Sequence, residues 1–284
     1  MTSTSPRCNQ YEQWVTVDGV RTRYLQAGSG LPLILIHGLL GYSFSWRFAL
    51  PALAPEFHVI APDLPGAGFS ECRQDLDFRL REIAKRLLRF LDVLEIGDCY
   101  LLGSSHGGAV AMMAASLAPE RIQKLVLVSP VNPWSAVGRR RVWLLSRAAI
   151  APLFNRWAPR FKLTHAWVLR RLYGNAQKVP PGTLEGYSAP YARPGSFTHN
   201  LKILQSWQDD LKELKAALPG IAHIPTLLIW GTLDRAVTPA SAHALKKQFR
   251  DARLVTLEGV GHLPYEEAPE EFNLKVKEFL EMPA

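Results

Sequence analysis

The sequence predicts an α/β fold, a mostly parallel eight-stranded sheet flanked by helices and carrying an inserted helical cap. Three observations predict it. Short all-apolar runs alternate with helical stripes along most of the chain. That alternation stops at residues 131–222, where the composition changes sharply. One apolar run leads directly into Gly103-Ser104-Ser105-His106-Gly107, a glycine-framed turn from strand to helix.

In chain order, Trp14–Asp18 and Arg21–Gln26 flank Asp18-Gly19, a pair suited to a hairpin turn between antiparallel strands. Leu33–Ile36 is apolar throughout, as expected for a strand buried on both faces. His58–Ala61, Tyr100–Leu102, Leu125–Val128, Thr226–Trp230 and Leu254–Leu257 repeat that pattern. Between them, Leu80, Ile83, Ala84, Leu87, Leu91 and Leu94 form one stripe at three- and four-residue spacing. Ala109–Leu117, Ala240–Phe249 and Glu270–Leu280 are further predicted helices. Strand and helix alternating in this way give a parallel sheet covered on both sides, with ligands at the carboxyl ends of the strands.

Residues 131–222 hold short helical patterns punctuated by Pro133, Pro152, Pro159, Pro180-Pro181, Pro190, Pro194 and Pro219. The predicted division is therefore a core of residues 1–130 and 223–284, with residues 131–222 as a helical cap. The net charge of +8 belongs to that cap, which carries 14 Lys+Arg against 4 Asp+Glu. It also holds Trp134, Trp143, Trp157, Trp167 and Trp207, five of the eight tryptophans. No nucleic-acid motif accompanies the charge, so nucleic acid is not an expected partner. The ordinary reading is long cationic side chains covering apolar surface. The alternatives are an anionic substrate, or a lipid surface met through Arg139-Arg140-Arg141 and Trp143.

A hydrophobic fraction of 48% over 284 residues is ample for a large core. No run approaches the ~18 apolar residues of a membrane span, and Met1–Arg7 lacks a signal-peptide stretch. A soluble cytoplasmic protein is expected. Cys8, Cys72 and Cys99 are too few and too far apart for a disulfide framework or a zinc site, and read as free thiols. No metal or organic cofactor is implied.

The strand-to-helix turn selects its own nucleophile. Residues two before and two after the nucleophile must be small, and Ser105 has Gly103 and Gly107 there, whereas Ser104 has Leu102 and His106. A serine hydroxyl needs a histidine to take its proton and an acid to orient that histidine. His262, in Gly261-His262-Leu263-Pro264, lies between the last strand and the last helix, at the edge where Ser105 sits. Asp234, in Trp230-Gly231-Thr232-Leu233-Asp234, follows another strand at the same edge. Asp63 is the competing carboxylate, but its loop gives it a turn-stabilising role. Two backbone donors should complete the site: the amide of His106, and that of Leu39 after Gly38. His37 is expected to be a structural hydrogen-bond partner.

Five segments together resemble the α/β-hydrolase superfamily across nearly the whole chain. They are His37-Gly38, the run from Asp63 to Ser70, the turn at Ser105, the run from Trp230 to Asp234, and Gly261-His262-Leu263-Pro264. Two features depart from common patterns. Many relatives carry a His before the nucleophile and a Met or Gln after it, whereas Ser104 and His106 stand here. Epoxide hydrolases and haloalkane dehalogenases use an aspartate where this chain has Ser105, which counts against both activities.

Relatives with a single glycine before a bulky residue, as in His37-Gly38-Leu39, are often carboxylesterases. The resemblance thus implies hydrolysis of a small-molecule carboxylic ester through an acyl-enzyme, with Leu40, Trp134, Trp143 and Leu263 as candidate pocket residues. A carbon–carbon bond hydrolase of aromatic ring-cleavage products is the second reading, and a thioesterase, lactonase or perhydrolase remains open. A non-catalytic binding protein of the same fold is the third.

Overall fold

The structure, a computed structural model, describes residues 11–73, 75–135, 162–193 and 197–282. Its sheet contains all eight expected strands: β1 (Glu12–Val17), β2 (Val20–Ala27), β3 (Pro32–Ile36), β4 (His58–Pro62), β5 (Cys99–Ser104), β6 (Ile122–Val128), β7 (Thr226–Gly231) and β8 (Ala252–Leu257). Their spatial order is β1-β2-β4-β3-β5-β6-β7-β8. β1 pairs antiparallel with β2, and β2 with β4, while every later pairing is parallel. The hairpin at Asp18-Gly19 has positive φ at both residues, 50° and 73°, as a two-residue turn between twisted strands requires.

The period of two along the central strands divides the core between the two faces of the sheet. Ile34, Ile36, Leu101, Leu125, Leu127 and Leu228 pack on one face. Leu33, Leu35, Leu102, Val126, Leu227 and Ile229 pack on the other. The first face is covered by α2 (Leu80–Val93) and α3 (His106–Leu117), the second by α1 (Ala49–Leu53) and, near the end of the chain, a helix over Pro269–Leu280. Each large aliphatic side chain buried this way contributes about 1.5–3 kcal/mol. α3 is buried continuously from His106 to Ala115, so it has no polar face. It begins at His106, three residues before the apolar run suggests, because Gly107 and Gly108 are part of the helix.

Between β6 and β7 lie three described α-helices: α4 (Lys162–Leu172), α5 (Thr183–Ser188) and α6 (Thr198–Ala217). α6 spans two environments, since Asn200 lies near the carboxyl edge of the sheet and Leu214 is buried in the first core. The chain then completes α7 (Ala240–Lys246), α8 (Pro264–Glu267) and α9 (Pro269–Leu280). Arg139, Arg140, Arg141, Trp143 and Trp157, expected in the cap, lie outside the described residues, as does Cys8. Cys72 and Cys99 are free thiols, and burial pushes the Cys99 thiol up to about 12. Among the described residues, no helix is long and apolar enough to cross a membrane.

Candidate active site

The parallel register brings five strand ends to one edge. Ile36 is level with Gly103, Ser104 with Val128, Val128 with Ile229, and Gly231 with Leu257. The loops bearing Gly38, Ser105, Asp234 and His262 all leave the sheet there, at the carboxyl ends where ligands bind in open α/β sheets.

At the turn after β5, a Cβ on Gly103 would collide with the Gly107 backbone, and one on Gly107 with the carbonyls of Ile36 and His37. These collisions are the physical content of the small-residue rule. Ser105 itself has φ 54° and ψ −120°, a strained geometry for a side-chain-bearing residue that costs about 1–3 kcal/mol. Three backbone bonds maintain it: Ser105 N–H to Val128 C=O (2.9 Å), and Val131 and Gly108 N–H to Ser105 C=O (2.9 and 3.0 Å). Ser104 is fully buried, its hydroxyl donates to the Tyr265 hydroxyl at 3.3 Å, and it does not line the cavity that Ser105 lines.

His262 Nδ1–H donates to Asp234 Oδ2 at 2.8 Å, and both residues are buried. The other carboxylate oxygen, Oδ1, accepts the amides of Ala236 (2.8 Å) and Val237 (3.0 Å). Asp234 is thereby fixed in rotation, and the imidazole is held with Nδ1 protonated. The loops meet through glycines. Side chains at Gly231 and Gly261 would strike the backbones of residues 260–261 and 172–174 respectively. His262 N–H reaches Leu172 C=O at 2.6 Å. Buried Glu267 accepts three amides there, from Gly261 (2.7 Å), Gly174 (2.9 Å) and Asn175 (2.8 Å), tying α8 to the end of α4.

One residue earlier, Glu266 receives Arg47 through two parallel bonds of 2.8 Å. The Tyr173 hydroxyl donates to it at 2.5 Å and the Tyr187 hydroxyl also reaches it. Arg47 further donates to Thr183 Oγ1 at 3.1 Å and stacks under Phe44 and Phe48 at 4.3 and 4.5 Å. Burial, then the Glu266 charge, pushes the Tyr173 and Tyr187 phenols up, so both are neutral donors. Burial works against the Arg47 charge, but the bonds and charge of Glu266 more than offset it and hold the guanidinium above its ordinary value.

Ser105 and His262 open into one cavity of about 350 Å³. Gly38, Leu39, Leu40 and Gly41 form one wall, Val168, Leu169, Leu172 and Leu184 a second, and Tyr187, Tyr191, Phe197 and Trp207 a third. Leu263, Tyr265 and Val237 line it near His262. Among the described residues, no Asp, Glu, Lys or Arg lines it. The predicted residues Leu39, Leu40, Ser105, His262 and Leu263 are thus brought together. Trp134 is not: it is partly buried against the first core, its backbone N–H donating to Asn132 Oδ1 at 3.0 Å, and Trp143 lies outside the described residues. The tryptophan that does line the cavity is Trp207, whose ring stacks on His106 with centroids 5.8 Å apart. Burial drives the His106 pKa down to about 4, so that imidazole is neutral.

The competing residues have structural tasks. Asp63 is fully buried, accepting Ser43 N–H (2.8 Å), Phe69 N–H (2.9 Å) and Arg23 Nη1 (3.2 Å). His37 is also buried and held below its ordinary pKa by burial; its Nδ1 meets Gly38 C=O at 2.9 Å and its Nε2 accepts Leu64 N–H at 3.0 Å. Among the described residues, no group of His, Cys, Asp and Glu could hold a metal ion.

A parallel sheet whose carboxyl edge gathers a strained serine, a carboxylate-held histidine and an apolar cavity defines an α/β hydrolase. Residues 32–269 match the family profile of the α/β hydrolase fold, and the chain belongs to that family. It is 28% identical over 272 residues to the uncharacterized hydrolase YugF of Bacillus subtilis, covering 93% of this chain and 96% of that protein. It is 29% identical over 270 residues to 2-hydroxymuconate semialdehyde hydrolase of a Pseudomonas species, covering 92% of this chain and 91% of the relative. The solved structure of a bacterial membrane phospholipase A superposes with a TM-score of 0.78 at 28% identity, over 95% of this chain and 85% of that one.

Proposed function

We propose that this α/β hydrolase cleaves neutral carboxylic esters with an apolar acyl or alcohol part. Ser105 is the nucleophile, His262 the general base and Asp234 the acid that orients it. The observation that carries this reading is the cavity of about 350 Å³, which joins Ser105 and His262 within a largely aliphatic and aromatic wall that carries no Asp, Glu, Lys or Arg among the described residues.

In this mechanism Ser105 Oγ attacks the ester carbonyl while its proton passes to His262 Nε2. The Asp234 carboxylate, 2.8 Å from Nδ1, stabilises the imidazolium. Negative charge on the tetrahedral oxygen is taken by the amides of Leu39 and His106. The His106 amide is the first of a helix, where N–H groups have no intrahelical acceptor. His262 then returns the proton to the departing alcohol, and water, activated by the same histidine, releases the acid. Residues 131–222 act as a cap whose α4, α5 and α6 supply Val168, Leu169, Leu172, Leu184, Tyr187 and Trp207 to the apolar wall.

Carbon–carbon bond hydrolysis is the competing reading, favoured by the likeness to 2-hydroxymuconate semialdehyde hydrolase. A dienoate product of ring cleavage is anionic and calls for a cationic partner. Arg193, in the insertion, instead donates to the backbone carbonyls of Gly68, Phe69 and Ser70. The experiment is hydrolysis of p-nitrophenyl esters from acetate to palmitate, with Ser105→Ala as control and a ring-cleavage dienoate in parallel. Fast Ser105-dependent ester turnover is expected. Slow ester turnover with rapid dienoate cleavage would replace the ester reading with the second.

A further inference from the structure

The turn after β3 is gripped from the far side of the cavity. Gly41 N–H donates to Gly38 C=O at 3.1 Å, which makes Leu39 and Leu40 the central pair of a four-residue turn. Leu40 has φ 62° and Leu39 does not share that sign, the pattern of a type II turn, whose third position ordinarily belongs to glycine or asparagine. Leucine has no local reason to stay there. Both polar groups of Leu40 are held by residues more than 150 positions further along the chain. Its N–H donates to Asn200 Oδ1 at 3.2 Å, and its C=O accepts the Tyr191 hydroxyl at 2.8 Å. Asn200 is 3% exposed and sits in the first turn of α6, so its amide has little room to turn away. Two turns along the same helix, Trp207 stacks on His106.

We propose that Asn200 and Tyr191 are positioning residues that lock the Leu39–Leu40 turn in the geometry the oxyanion needs, an inference that rests on the ester-hydrolase reading. Neither touches the reacting atoms. Without them Leu40 relaxes to negative φ, which inverts the Leu39–Leu40 peptide, and the altered turn displaces the adjoining Gly38–Leu39 peptide, whose N–H is the donor beside Ser105. Because α6 braces Leu40 through Asn200 and His106 through Trp207, the two oxyanion donors are set by the docking of that helix.

The test compares wild type, Asn200→Leu, Tyr191→Phe and Asn200→Asp. Asp retains an acceptor for the Leu40 amide, and Tyr191→Phe removes a single hydroxyl, so at least one variant keeps the fold. In Asn200→Leu, kcat on the best p-nitrophenyl ester should fall roughly 10- to 100-fold with KM within about twofold. The affinity of phenylboronic acid, which forms a tetrahedral adduct on serine, should fall by the same factor. Tyr191→Phe should show a smaller loss of the same kind, and Asn200→Asp should recover most of the activity. Wild-type kcat and boronate affinity in both Asn200→Leu and Tyr191→Phe would overturn the proposal and leave the ester-hydrolase reading standing. Absence of Ser105-dependent ester turnover in the wild-type protein would overturn both.

Discussion

Gly38 lies so close to Ser105 that a Cβ on it would stand 3.0 Å from the serine Cβ and 3.2 Å from the Ser104 carbonyl oxygen. The neighbour on the other side is strained backbone, which has few ways to yield. Gly38→Ala should therefore push the β3 loop and the serine apart by a few tenths of an ångström. The expected result is a kcat about 10- to 100-fold lower, since small misplacements of reacting groups are costly. Thermal unfolding of the variant should shift far less than its activity.

The Asp234 carboxylate is saturated by two amides and the imidazole, which gives its replacement a defined effect. Asp234→Asn preserves size but presents an amide to Nδ1 and favours the wrong tautomer of His262. Turnover should fall by about 10⁴-fold with KM little changed. Retained activity would place the acid elsewhere. Asp63 has little capacity for that role, because Ser43, Phe69 and Arg23 already occupy its oxygens.

Arg47 and Glu266 form a buried pair in which the carboxylate is also the acceptor of Tyr173 and Tyr187. Removing only the cation leaves that charge without its counter-ion. Arg47→Met should cost about 3–5 kcal/mol of stability by urea unfolding. Arg47→Met combined with Glu266→Gln should recover part of the loss, because the second change removes the uncompensated charge. A double variant less stable than Arg47→Met would show that Glu266 holds α5 to the core through its tyrosine bonds alone.

The core and the turn at Ser105 were legible in the sequence for the same reason: both rest on local pattern. An all-apolar run such as Leu33–Ile36 needs only its own period to declare a strand buried on both faces. Gly103 and Gly107 specify the turn at Ser105 by local sterics alone. Leu40 and Leu263 were legible as cavity residues because they sit beside Gly38 and His262, whereas the rest of the wall was not, because it is made by residues distant in the chain. Trp207, which lines it, and Trp134, which packs in the core, carry no local mark that tells them apart. The short helix α1, whose alanine- and proline-containing run has no full helical stripe, was also missed, as was Arg47, whose carboxylate partner lies 219 positions away. Composition offered an anion as one alternative for the cap's cations, but Arg193 is turned to other work, on the carbonyls of Gly68–Ser70.

His106 provides an acid-sensitivity test that does not depend on catalysis. Burial lowers its pKa from the ordinary histidine value of 6.5 to about 4, so the folded protein binds fewer protons there than the unfolded chain across that interval. Stability contributed by the neutral ring is complete above pH 6.5 and is lost as pH falls toward 4. The full shift corresponds to roughly 3 kcal/mol at most. His106→Phe keeps an aromatic ring against Trp207 and removes the titration. Urea unfolding of the two proteins between pH 7 and pH 4 should give a shallower decline for the variant. Parallel declines would mean that the His106 ring accepts a proton in the folded state without penalty, and that its stack on Trp207 is open to water.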